Sequence, residues 1–124
     1  MASLWNIPDA AGAKTPLSMM KEQARFLTSE TDGVLKGTVE TSGSNDRFVI
    51  ELQIEVPRLS NYLYSLLKYT QPMPGLYPGY LHAFPTKIGN QIGNEGDFEK
   101  ALQEALSSQK TTEVLLSLIA QADS

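Results

Sequence analysis

The clearest pattern in the chain is the alternation over residues 47–56, RFVIELQIEV, in which Phe48, Ile50, Leu52, Ile54 and Val56 interleave with Arg47, Val49, Glu51, Gln53 and Glu55. Successive side chains of a strand point to opposite faces, so this pattern predicts one apolar face and one mostly wet face. A shorter alternation precedes it over residues 34–41, with Leu35, Gly37 and Val39 on one side and Lys36, Thr38 and Glu40 on the other. The run Ser42-Gly43-Ser44-Asn45 between the two reads as the turn of a hairpin. With Val39 and Phe48 held on the same face, a four-residue loop pairs Glu40 with Arg47 and Lys36 with Glu51, and both pairs are opposite in charge. Gly37 then faces the core opposite Ile50 and leaves a gap for a helix or an aromatic ring.

Helical spacing flanks the strands. Thr15-Pro16 offers a cap followed by a residue suited to the first helical position. Leu17, Met20, Ala24, Leu27 and Thr31 follow at steps of three and four, and Gly33 suits the C-terminal cap. Near the other end, Phe98, Ala101, Leu102, Ala105 and Leu106 form one apolar stripe that Asp97 can cap. Val114, Leu115, Leu118, Ile119 and Ala122 form a second stripe with a new phase, capped at Ser108 or Thr111.

Residues 61–70 carry two patterns at once. Leu59, Leu63, Leu66 and Leu67 suit a helix, whereas Tyr62, Tyr64 and Tyr69 suit a strand. Placement between Pro57 and the proline- and glycine-rich stretch 71–79 favours the strand. Residues 80–84 read as a short edge strand ended by Pro85, and 85–96 as a Gly/Asn-rich loop in which IGNQ is echoed by IGNE. The order is α-β-β-β-β-α-α. It predicts one α+β domain over 1–124: a four-stranded antiparallel meander with an N-terminal helix and two C-terminal helices on its apolar face. Residues 1–14 form a lead segment whose Trp5, the one tryptophan, either plugs the edge of the core or anchors a partner.

Composition narrows the chemistry. The chain has 124 residues and no cysteine, which removes disulfides and thiolate metal sites. His82 is the single histidine, so a zinc centre lacks ligands, and His82 reads as a half-buried structural residue. A net charge of −4 with scattered Lys and Arg argues against nucleic acid. The longest apolar run, near 114–120, is too short for a bilayer, and no secretory pattern opens the chain, so a cytoplasmic protein without membrane contact is expected. Gly89, Gly93 and Gly96 lack the Lys-Ser/Thr ending of a phosphate loop. Asn94, Glu95, Asp97 and Glu99 miss the spacing of an EF-hand and read as helix capping. No cofactor or metal is expected.

Tyr62, Tyr64, Tyr69, Tyr77 and Tyr80 fall within 19 residues, mixed with Met73, Leu76 and Phe84. Tyrosine is at home in strands and also at interfaces, where a broad apolar body and a polar tip are both used. Pro72, Pro74 and Pro78 would present such residues stiffly. The expected partner-binding set is Tyr64, Tyr69, Met73, Tyr77 and Tyr80, joined by Ile88 and Ile92 from the adjoining loop. The function expected from this is a small acidic, non-enzymatic module that masks or bridges another protein, as inhibitors, immunity proteins, antitoxins and adaptors do. Self-association stays open. Two other readings are a small-ligand site between sheet and helices near Gly37, and an enzyme working through Glu51 and Glu55.

Overall fold

The computed structural model describes residues 1–84 and 89–124. Helix α1 (Pro16–Glu30) starts at the Thr-Pro pair. Thr15 Oγ1 accepts from the Ser18 N–H at 3.0 Å, and Ser18 Oγ accepts from the Thr15 N–H at 2.9 Å, so each residue satisfies an amide that the helix leaves unpaired. Asp32 and Gly33, with φ of 52° and 81°, then turn the chain back towards the sheet.

Strands β1 (Lys36–Gly43), β2 (Arg47–Val56), β3 (Tyr62–Pro72), β4 (Gly79–Ala83) and β5 (Asn90–Ile92) form one antiparallel sheet in chain order. Helices α2 (Glu95–Leu106) and α3 (Gln109–Ala122) follow. The architecture is α+β, with the helices on one face of the sheet. It has five strands where the sequence pattern predicts four. Gly79, Tyr80 and Leu81 pair with Ile92, Gln91 and Asn90, so β4 is interior to the sheet and the stretch read as pure loop contributes its edge. Ile92 explains the difference, since it turns an apolar side chain into the core. Asn90 and Gln91 keep the new edge short and polar. Asn94, not Asp97, caps α2: its Oδ1 accepts from the Asp97 N–H at 2.8 Å. Ser108 caps α3.

The first hairpin keeps the predicted faces but not the predicted register. Lys36 faces Glu55, Gly37 faces Ile54 and Glu40 faces Glu51, four residues from the expected partners. The pairs Glu40–Arg47 and Lys36–Glu51 therefore do not form. The strands run on to Gly43, and the turn tightens to Asn45-Asp46, closed by the Ser44 N–H donating to the Arg47 carbonyl at 2.9 Å. Each added ladder bond is worth about 1 kcal/mol, as much as an exposed ion pair at its best. An exposed Lys36–Glu55 pair at 4.0 Å replaces those expected.

A second irregularity lies between β2 and β3. Leu52 pairs with Leu67 and Gln53 with Ser65, so Leu66 is left without a partner as a bulge. Leu66 and Leu67 are consecutive and both buried. They join Ile50, Leu52, Ile54 and Val56 of β2, Met20 and Ala24 of α1, Phe98 and Leu102 of α2, and Leu118 and Ala122 of α3 in one core.

Gly37 is where α1 meets the sheet. A Cβ placed there would stand 2.6 Å from Ala24 Cα, closer than real atoms approach. The gap expected beside Gly37 is therefore filled by helix backbone and offers no room for a small ligand. The Gly37 N–H donates to Thr28 Oγ1 at 2.9 Å, tying strand to helix. In this arrangement the lead segment lies off the core, with Trp5 82% exposed. Among the described residues no helix is long and apolar enough to cross a membrane.

Gly37→Ala should destabilise the protein by about 1–3 kcal/mol, because α1 must move to admit the methyl group. Urea unfolding of the two proteins measures it. A loss under about 0.5 kcal/mol, the range of ordinary surface changes, would show that α1 does not bear on Gly37.

Candidate interaction surface

The connection between β3 and β4, residues 73–78, folds over one end of the sheet. It contains cis peptide bonds at Met73-Pro74 and Tyr77-Pro78. Hydrogen bonds hold it down. The Met73 N–H donates to the Asp46 carbonyl at 3.0 Å, the Gln71 side-chain amide to the Gly75 carbonyl at 3.3 Å, and the Tyr69 hydroxyl to the Leu76 carbonyl at 2.8 Å. Underneath, the Tyr69 ring meets Phe98 edge-on, with centroids 4.9 Å apart and planes at 77°. Tyr77 lies 6.3 Å from Tyr69, tilted by 58°. Such tilted and edge-to-face rings add stabilisation beyond area burial. Gly79 is obligatory beside them, because a side chain there would run into the Tyr69 ring and the Thr70 carbonyl.

Burial sets the electrostatics of this end. Removal from water pushes the Tyr69 hydroxyl up to about 12, and the neighbouring Tyr77 adds to the rise. Tyr77 is raised as well, by burial first and then by the charge of Glu95. Both phenols therefore keep their protons at ordinary pH, and Tyr69 donates its own to the Leu76 carbonyl. Two buried polar atoms, Gln71 Oε1 and Tyr77 Oη, have no hydrogen-bond partner among the described residues.

The structure separates the residues that the sequence groups together. Tyr69 is 0% exposed and Ile92 only 2%, so both are core residues and neither can touch a partner. Their period-2 positions in paired strands turn them towards α2. Tyr77 is half-buried beneath the loop. Tyr64 faces the opposite end of the sheet, where it lines a hollow with Leu59, Tyr62 and the α3 residues Lys110, Glu113 and Val114. Ile88 lies outside the described residues. Met73 at 42% and Tyr80 at 49% exposure remain on the surface, and exposed Leu76 joins them. The Tyr80 hydroxyl accepts from the Gly89 N–H at 3.2 Å, which fixes its ring.

Beside Tyr80 a hollow of about 450 Å³ is lined by Asp46, Arg47, Thr70, Pro72, Pro78 and Gln91. Arg47 and Asp46 belong here because β2 begins opposite the end of β3, where Arg47 faces Pro72. Only the β2–β3 register reveals this, since the sequence pattern assigns Arg47 a neighbour on the β1 side alone.

The helix-free face carries a polar row. Glu51 accepts from Ser65 Oγ and, at 3.0 Å, from Gln53 Nε2, with Glu40 and Lys68 on the flanking strands. Glu51 and Glu55 lie four residues apart on one strand, about 13 Å, which is wider than the ~5–9.5 Å of paired catalytic carboxylates in glycosidases. His82 packs against Phe84 with centroids 4.7 Å apart, and Lys68 Nζ stands 5.9 Å from the same ring. Among the described residues no three His, Asp or Glu side chains gather closely enough to hold a metal ion. No family model, curated protein or solved structure matches this chain.

The raised tyrosine pKa values predict alkaline lability. A phenol that keeps its proton more tightly when folded contributes stability in full below the ordinary value of 10.0 and loses it as the pH rises towards about 12. Tyr69→Phe should flatten that fall while costing about 1 kcal/mol at neutral pH through the lost bond to Leu76. Urea midpoints taken across this window would refute the assignment if the two proteins lost stability in parallel.

Proposed function

We propose that the protein is a small acidic binding module that acts on another protein without catalysis, through the corner formed by Met73, Leu76 and Tyr80. The observation that carries this reading is that Met73 and Leu76 stay exposed on a loop tied down at Met73, Gly75 and Leu76, with Tyr80 exposed beside them on β4. Little conformational freedom remains to be lost when such a loop is bound, so contact area converts to affinity more fully. Arg47 and the neighbouring hollow give the apolar patch a polar rim, which is the usual anatomy of a recognition surface. The reading keeps Met73, Tyr80 and, at its margin, Tyr77 from the set expected from sequence. It leaves out Tyr64, which lines a different hollow, and Ile88, which lies outside the described residues, and replaces Tyr69 and Ile92 by Leu76 and Arg47.

A photoreactive residue at position 76 should crosslink one defined protein in cells of the source organism, and the same residue at position 25 on α1 should not. With that protein in hand, Met73→Asp and Leu76→Asp should each weaken binding roughly tenfold or more and shift stability by less than about 0.5 kcal/mol. Tyr77→Ala and Ile92→Ala, by contrast, should lower stability. Unchanged affinity in both aspartate variants would sink the proposal.

A further inference from the structure

Two apolar features on the opposite side of the molecule are left uncovered. The first is the lead segment. Leu4, Trp5 and Ile7 are exposed, and residues 1–8 hold no charged side chain. Residues 9–14, Asp-Ala-Ala-Gly-Ala-Lys, join them to α1 and double back at a turn, where the Ala13 N–H donates to the Ala10 carbonyl at 3.1 Å and Gly12 takes φ of 80°.

The second is a cleft of about 350 Å³ between α1 and α3, with Phe26, Leu27 and Leu115 on its walls and Leu52, Ile54 and Leu66 on its floor. Phe26 is 47% exposed at its rim. The cleft shares Gln23 and Leu106 with a neighbouring one between α1 and α2, which Lys14 borders. The lead segment thus leaves α1 at the mouth of a trough that runs along the helix to Phe26.

We propose that residues 4–7 fold back along this trough in the same molecule and seat Trp5 in the cleft beside Phe26, as a strap over the helical face. The extended arrangement is its open state. Lengths favour the occupant being the chain's own segment. From Pro16 to Phe26 the helix advances about 15 Å. The ten residues from Trp5 to Thr15 have a root-mean-square span of roughly 16–19 Å as a flexible chain. A tether matched to its span gives an effective concentration in the millimolar range, so a second copy at micromolar concentration competes poorly. Chemistry agrees at the Phe26 end: an indole offers about 150–250 Å² of mostly apolar area, and residues 4–7 bring no charge of their own to desolvate. The cleft is mainly apolar, with Glu30 at its lining, whereas the trough leading to it is bordered by Lys14, Glu22 and Glu99. The strap and the Met73–Leu76–Tyr80 corner lie on different faces, so neither proposal depends on the other.

Trp5 is the one tryptophan, so its emission reads this contact alone. The native protein should emit at shorter wavelength, and resist acrylamide quenching more, than a peptide of residues 1–14. Phe26→Glu should shift both readings to those of the peptide, while Leu116→Glu, exposed on α3 but outside the cleft lining, should leave the indole shielded. Far-ultraviolet circular dichroism checks that both variants are folded. Because the chain lacks cysteine, Ile7→Cys combined with Gln23→Cys supplies an independent reading: mild oxidation should close a disulfide within one chain. Peptide-like emission from the native protein, or shielding that survives Phe26→Glu in the folded variant, would overturn the proposal. So would a disulfide formed only between chains, which would assign the cleft to a second copy.

Discussion

How closely α1 can approach β1 controls the whole helical side of the sheet. The approach is set by one missing side chain, at Gly37, and by two threonines. Thr28 Oγ1 accepts from the Gly37 N–H at 2.9 Å and donates to the Ala24 carbonyl at 3.2 Å. Thr31 Oγ1 accepts from the Leu35 N–H at 3.1 Å and lies 2.9 Å from the Leu35 carbonyl. Side chains that normally end helices stitch this one to the edge strand instead, satisfying strand amides that would otherwise face water. With α1 seated this low, Met20 and Ala24 reach the core beside Ile54.

The sheet divides the molecule into two chemically different sides. Towards the helices the fully buried side chains of the described residues are apolar apart from Gln71, Thr111 and the Tyr69 hydroxyl, and each of these donates to a backbone carbonyl at the margin of the core. The other side is a half-buried polar surface organised by Glu51, whose charge is met by Ser65 and Gln53. The proline-rich loop sits where the sides meet. Its underside is core, through Tyr69 and Tyr77, and its upper side is surface, through Met73 and Leu76. One loop can therefore be both a structural cover and a display, which is why tyrosines adjacent in sequence have such different surroundings.

The helices and the central hairpin were legible because their periodicities are long and uninterrupted. Thr15, Ser108 and the alternation of β2 carry their roles in local chemistry alone. The register of the hairpin was not legible, since charge pairs of small energy favoured one alignment and added ladder bonds favoured another four residues away. The third strand was ambiguous for a reason now visible. Tyr64 faces the core at an even position and Tyr69 at an odd one, because the bulge at Leu66 inverts the alternation between them. Two adjacent leucines, both buried, imitate a helical stripe. Ile92 was misplaced through its neighbours: Gly and Asn around it suggested a loop, while its own side chain belongs to a three-residue strand. The candidate surface was legible in composition but not in direction, because inward and outward tyrosines look the same in sequence.

The bulge also gives the fold an unusual form of tolerance. In a regular strand, losing one residue turns every later side chain to the wrong face. In β3 the loss of Leu66 would do the reverse, joining Ser65 to Leu67 and restoring unbroken alternation, with Tyr64, Tyr69 and Gln71 all still facing as they do now. The penalty would be confined to one buried leucine and the twist that the bulge imparts. The strand holds one residue in reserve, so its facing pattern would survive a change of length inside the sheet itself, which a regular strand would not.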